Sequence, residues 1–109
     1  MNVVMKYNAE DVMTPYGIRQ TVLDEICTLA EQHCIERIIL FGSRSRGDFS
    51  RTSDIDLAVQ GGNVAAFSAD VDEQTSTLLQ YDVVDLNRPV QKELLDSIHT
   101  DGVIIYEKD

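Results

Sequence analysis

Four residues near the middle of the chain have types and spacing suited to chemistry: Gly42, Ser43, Asp54 and Asp56. Gly42-Ser43 directly follows the apolar run Ile38-Ile39-Leu40-Phe41. Ten residues later, Asp54-Ile55-Asp56 opens a second apolar run that reaches Val59. A glycine at the end of a buried strand lets backbone N–H groups approach a phosphate closely. The serine adds a hydroxyl and can begin a helical turn whose N-terminus favours anions. Acids at i and i+2 of a strand share one face, which puts Ile55, Leu57 and Val59 on the other. Two carboxylates so close repel unless a cation sits between them. Mg²⁺ is commonly held by one or two carboxylates together with substrate phosphates. Standing alone, Asp-x-Asp in an acidic chain reads as a solvated strand face, and Gly-Ser as a strand-ending turn. Together they point to a nucleotide and Mg²⁺.

The basic residues between the two motifs strengthen that reading. Of nine Lys and Arg, three (Arg44, Arg46 and Arg51) fall between Gly-Ser and Asp-x-Asp. Arg44 and Arg46 are candidates to pair with phosphate oxygens. A third carboxylate is expected from a neighbouring strand, and Tyr81-Asp82-Val83-Val84-Asp85-Leu86 offers two. Asp82 and Asp85 have opposite parity, so only one can join Asp54 and Asp56. Each shares its face with a valine, so parity alone does not choose.

Stepping outward, 109 residues with a 43% hydrophobic fraction suit one α/β domain and one core. A formal net charge of -10 argues against general nucleic-acid binding, because a duplex would be repelled. A small cationic spot on an acidic body suits a triphosphate better. No apolar run approaches the ~20 residues of a membrane span, and the first residues lack a secretory signal, so the expectation is a cytoplasmic protein without membrane association. Cys27 and Cys34 are seven apart and read as small apolar side chains; neither they nor His33 and His99 show zinc spacing.

Periodicity supplies the elements that must position the motifs. Residues 1–13 read as an arm. Thr14-Pro15 predicts the start of an amphipathic helix that ends near Gln32 to Cys34, with Ile18, Val22, Ile26 and Leu29 on its inner face. Arg37 to Phe41 is a buried strand, 43–53 a loop with one helical turn, and Ser53 to Gln60 a second strand. Asn63 caps a helix marked by Val64, Phe67, Val71 and Leu78. Tyr81 to Leu86 is a third strand. Arg88-Pro89 opens a last helix with Val90, Leu94 and Ile98 inward, and Val103 to Tyr106 is a final strand. The expected architecture is a mixed sheet of about four strands with helices mainly on one face, leaving the other open for a site.

Gly42-Ser43, ten residues, then Asp54-x-Asp56 resembles the signature of the nucleotidyltransferase superfamily related to DNA polymerase beta. The short chain resembles the minimal nucleotidyltransferases that partner HEPN-type proteins in toxin–antitoxin pairs. The likeness runs through Phe41 to Gly47, Ser53 to Leu57, Tyr81 to Leu86 and Asp101 to Lys108. It implies a single nucleotidyltransferase domain over 1–109. It places the third acid at Asp82, with Asp85 in reserve, so that Asp54, Asp56 and Asp82 are catalytic and hold Mg²⁺, as two ions. Gly42, Ser43, Arg44, Arg46 and Ser53 become the nucleotide contacts. The implied reaction moves AMP from ATP to a hydroxyl, a tyrosine of the HEPN toxin, and silences it. Two other readings remain: an antitoxin that acts by contact alone, and a small-molecule adenylyltransferase.

Overall fold

The computed structural model describes residues 11–109. Most of the expected arm, residues 1–10, lies outside them. The elements run α1 (Gln20–Gln32), β1 (Arg37–Phe41), α2 (Ser43–Arg46), β2 (Ile55–Gln60), α3 (Val64–Gln74), β3 (Tyr81–Asp85), α4 (Lys92–Asp101) and β4 (Val103–Glu107). The sheet order is β3-β2-β1-β4. β1 is antiparallel to β2 and to β4, and β2 is parallel to β3. The parallel pair needs a crossover, and α3 supplies it. The result is the small mixed α/β sheet that the pattern of elements implies.

Strand alternation sorts the side chains into two layers. Ile38, Leu40, Ile55, Leu57 and Val59 pack with Val22, Ile26 and Leu29 of α1 and Phe67 and Val71 of α3. On the other face Ile39, Phe41 and Ala58 form a smaller core with Ile98 and Leu94 of α4. The two longest helices thus share one face, but the second face is not bare, because α4 covers part of it. Among the described residues no helix is long and apolar enough to cross a membrane.

Several boundaries differ from expectation, each for a local reason. The first helix begins at Gln20, not at Thr14-Pro15. Thr14 closes a turn instead: Gly17 N donates to Thr14 O at 3.0 Å, and Thr14 Oγ1 donates to Ile18 O at 2.6 Å. Gly17 has φ +69°, a left-handed conformation that no α-helix continues through. β2 begins at Ile55, so Asp54 is the last loop residue before it. Asn63 caps α3 as expected, its side chain accepting from Ala66 N at 3.1 Å. Leu78, expected on that helix, lies beyond its end and is fully exposed. Thr75 draws the chain out of the helix by donating to Val71 O at 2.6 Å and meeting the Tyr81 hydroxyl at 2.9 Å. α4 starts at Lys92 and not at Arg88-Pro89, because Asp85 nucleates a turn there: its Oδ1 accepts from Asn87 N at 2.9 Å.

Candidate active site

The end of β1 and the start of β2 meet at Gly42. Phe41 pairs with Asp56 in the antiparallel ladder. Gly42 then turns with φ +79° and ψ -157°, a conformation left almost entirely to glycine. A Cβ built there would run into the Asp56 carboxylate. The bend and the acid are therefore in contact, and glycine is required for space as well as for its dihedrals. Ser43 opens the single turn α2, whose backbone is closed by Arg46 N on Gly42 O (3.2 Å) and Gly47 N on Ser43 O (2.9 Å).

The next strand brings a second acid alongside. In the parallel ladder Asp56 is registered with Asp82. Asp56 is half-buried on the face of Ala58 and Phe41, whereas Asp54 and Asp82 are exposed at the rim. Burial pushes the Asp56 carboxyl up to about 6, and the negative charges of Asp82 and then Asp54 push the same way; Arg46 and Arg44 oppose them weakly. Asp82 and Asp54 thus both lie within electrostatic reach of Asp56. Asp85 is not with them. It pairs with Val59 near the far end of β3, and its carboxylate is used by Asn87 N and by Arg88 Nε at 3.6 Å. The β2–β3 register thus sets Asp82, and not Asp85, beside Asp56.

These donors fit a hard divalent cation. They are all carboxylate oxygens, and Asp56 is partly desolvated and held against its neighbours' charge. Among the described residues, no three His, Cys, Asp or Glu side chains are arranged to hold a metal ion unaided. An ion at this rim therefore needs water or phosphate oxygens to complete its shell.

The two arginines part company. Arg46 is exposed and ion-paired with Asp48 at 3.2 Å and Asp101 at 3.6 Å, and its positive charge reaches Asp56. Arg44 is 2% exposed and corrects the expectation of a phosphate contact. Its guanidinium donates to Tyr16 O (3.1 Å), Gly17 O (2.9 Å) and Ser53 O (3.0 and 2.9 Å), with longer bonds to Ser50 O and Arg51 O. Its plane also lies 4.9 Å from the centre of the Phe49 ring. With its N–H groups on backbone carbonyls, Arg44 ties the turn before α1 to the loop that delivers Asp54. Ser53 belongs to the same loop. Its carbonyl accepts from Arg44, and its hydroxyl accepts from Ser50 N at 2.9 Å.

Sequence reasoning missed this framework and the role of Asp101 as a partner of Arg46. It also missed Tyr81, whose partly buried hydroxyl is pushed up to about 12 by desolvation, against the opposing bond to Thr75. The available signal for Arg44 was its place in a loop rich in Gly and Ser, where exposed carbonyls are plentiful and buried acids are not.

Comparison with known proteins follows the same lines. A family model described as Polymerase beta, Nucleotidyltransferase matches residues 24–109. A protein of Methanocaldococcus jannaschii, provisionally named a protein adenylyltransferase, is 44% identical over 61 residues, which cover 56% of this chain and 58% of that one. The match thus spans less than two thirds of that relative. Two solved structures share the fold. One is a toxin–antitoxin complex with AMP-PNP (24% identity, TM-score 0.65), and the other a mutant MntA-HpeT toxin–antitoxin complex (22% identity, TM-score 0.64). Each similarity covers 80% of this chain and 74% of the other.

Proposed function

We propose a function from one fact: this chain belongs to the polymerase beta nucleotidyltransferase family. The reaction is transfer of AMP from ATP to a hydroxyl of a partner protein, a tyrosine of a HEPN-type toxin, which it silences. The observation that carries the reading is the placement of Asp56 in register with Asp82 while its carboxylate rests against the Gly42 bend. Acids suited to a metal and a close backbone approach thereby fall at one point. The provisional name of the archaeal relative and the toxin–antitoxin setting of the structural neighbours support the same class.

Each residue has a defined task. Gly42 and Ser43 present bare backbone and a hydroxyl to the phosphates. Arg46, held by Asp48 and Asp101, offers a positive charge at the edge of the acids. Asp54, Asp56 and Asp82 would hold Mg²⁺, as two ions when both sites fill. Bound Mg²⁺ supplies neutralisation of triphosphate charge and of charge developing on the leaving oxygen. The acceptor oxygen attacks the α-phosphorus, the bond from that phosphorus to the bridging oxygen breaks, and pyrophosphate leaves. Asp82, exposed at the rim, takes the acceptor proton. Arg44 enters none of these steps and keeps Asp54 in place.

The test incubates the chain with ATP, Mg²⁺ and the protein encoded beside its gene, and reads that protein's intact mass. Added adenylyl groups support the reading. An unchanged mass, with neutralisation retained by an Asp54→Asn/Asp56→Asn double variant, replaces it with inhibition by contact.

A further inference from the structure

A groove of about 610 Å³ lies between the turn before α1 and the loops that lead into β2 and β3, and the mechanism above uses no part of it. Its apolar lining includes Met13, Ile18, Val22, Phe49, Leu78 and Leu79. Its walls are the loops that feed the acid-bearing strands. Arg51 and Phe49 belong to the loop that ends at Asp54, and Ser76 to Leu79 lead into Tyr81 and Asp82. Two features set the groove apart from the rest of the surface.

The first is an exposed leucine held in place. Leu78 is 102% exposed and Met13 55%. The Leu78 loop is nonetheless pinned. Glu25 of α1 accepts from Ser76 N at 2.7 Å and from Ser76 Oγ at 2.6 Å, and Leu79 N donates to Thr77 Oγ1 at 3.1 Å. An exposed apolar side chain at the lip of an apolar groove is the pattern of an interaction site.

The second is charge. The chain has 19 acidic and nine basic residues. The charged residues lining the groove, among the described residues, are Arg19, Arg44 and Arg51, with no acid. On a body of net charge -10 this is a local reversal of sign. Arg44 is already engaged by carbonyls, but Arg19 and Arg51 are exposed. Electrostatic complementarity therefore selects an occupant with apolar side chains flanked by carboxylates.

We propose that this groove is where the acceptor protein docks, through an amphipathic segment whose apolar residues enter between Met13 and Leu78 and whose carboxylates meet Arg19 and Arg51. This rests on the adenylyl-transfer reading above, and it names the surface that would present the hydroxyl. Docking there loads the loop that ends at Asp54 and the loop that leads into β3 and Asp82, so the bound partner and the acids share their supports.

The test separates docking from chemistry. The probe is the protein encoded beside this chain's gene, and the readout is its binding by calorimetry to the Asp54→Asn/Asp56→Asn double variant, which cannot transfer AMP. That variant is expected to bind the probe. Adding Leu78→Asp or Arg51→Glu is expected to weaken binding at least about tenfold, and the arginine dependence to fade in high salt. Circular dichroism is expected to show both folded, as fits two exposed positions. Equal affinity with and without these changes overturns the proposal, as does protection from hydrogen exchange confined to other surfaces. Competition by AMP-PNP alone at the groove also overturns it, assigning the groove to the nucleotide. If the native chain transfers no AMP yet the groove variants lose binding, the reaction fails and the docking surface stands.

Discussion

Asp56 and Asp82 face each other across the only parallel strand pair of the described sheet. Burial, and then the negative charge of Asp82, make the half-buried Asp56 harder to ionise. A cation placed between two such acids would relieve that repulsion.

Replacing Asp56 by Asn is expected to reduce AMP transfer by about 100-fold or more, since a metal-holding group is worth several kcal/mol to such a reaction. It is also expected to leave the fold intact and to raise the melting temperature of the metal-free protein at pH 8. A measured fall in that melting temperature would mean that the Asp56 carboxylate stabilises the fold, which contradicts the electrostatic picture.

The pH dependence follows from the same group. Its carboxyl titrates at about 6 in the fold against an ordinary value of 3.8, so the folded state binds the proton more tightly than the unfolded one. The contribution to stability is therefore fully present below about pH 3.8 and is lost as pH rises through about 6. Melting in EDTA from pH 4 to 8 should show this slope in the native chain and not in Asp56→Asn. Mg²⁺ competes with the proton, so the melting shift it produces should be larger at pH 8 than at pH 5.

Arg44→Met should destabilise the protein by about 3 kcal/mol, because several partly buried carbonyls lose their donors. Arg44→Lys should recover only part of this, since an ammonium cannot span the same fork of acceptors. Urea unfolding measures both. A phosphate-binding arginine would behave in the opposite way, with stability unchanged and nucleotide affinity lost.

Glycines 42 and 47 both have positive φ, at +79° and +93°, yet they should differ. A Cβ at Gly47 meets nothing within 4 Å, so Gly47→Ala should cost only about 1 kcal/mol of backbone strain. At Gly42 the added methyl meets the Asp56 carboxylate, so Gly42→Ala should abolish transfer as well as destabilise. Transfer assays run beside unfolding curves distinguish the two.

Much of this arrangement was legible from residue type and period. Ile38 to Phe41 and Ile55 to Val59 alternate faces as a strand must, which by itself puts Asp56 opposite the main core. Asn63 announces its helix through its own cap. What could not be read depends on contacts distant in sequence. Thr14-Pro15 carries a sound local helix signal, but Gly17 and the Met13–Arg19 bridge override it. The choice between Asp82 and Asp85 needs the β2–β3 register, which no parity argument contains. Arg44 looked like a phosphate ligand because its type allows that, and only the fold shows it surrounded by carbonyls from two separate stretches of chain.

The most direct test follows the label. The chain is incubated with Mg²⁺ and the adjacent gene's protein, using ATP labelled at the α-phosphate in one reaction and at the γ-phosphate in another. The account predicts that α-label becomes attached to the partner, that γ-label leaves as pyrophosphate, and that Asp54→Asn/Asp56→Asn stops both. Attachment of γ-label, or attachment of α-label by the double variant, would contradict it.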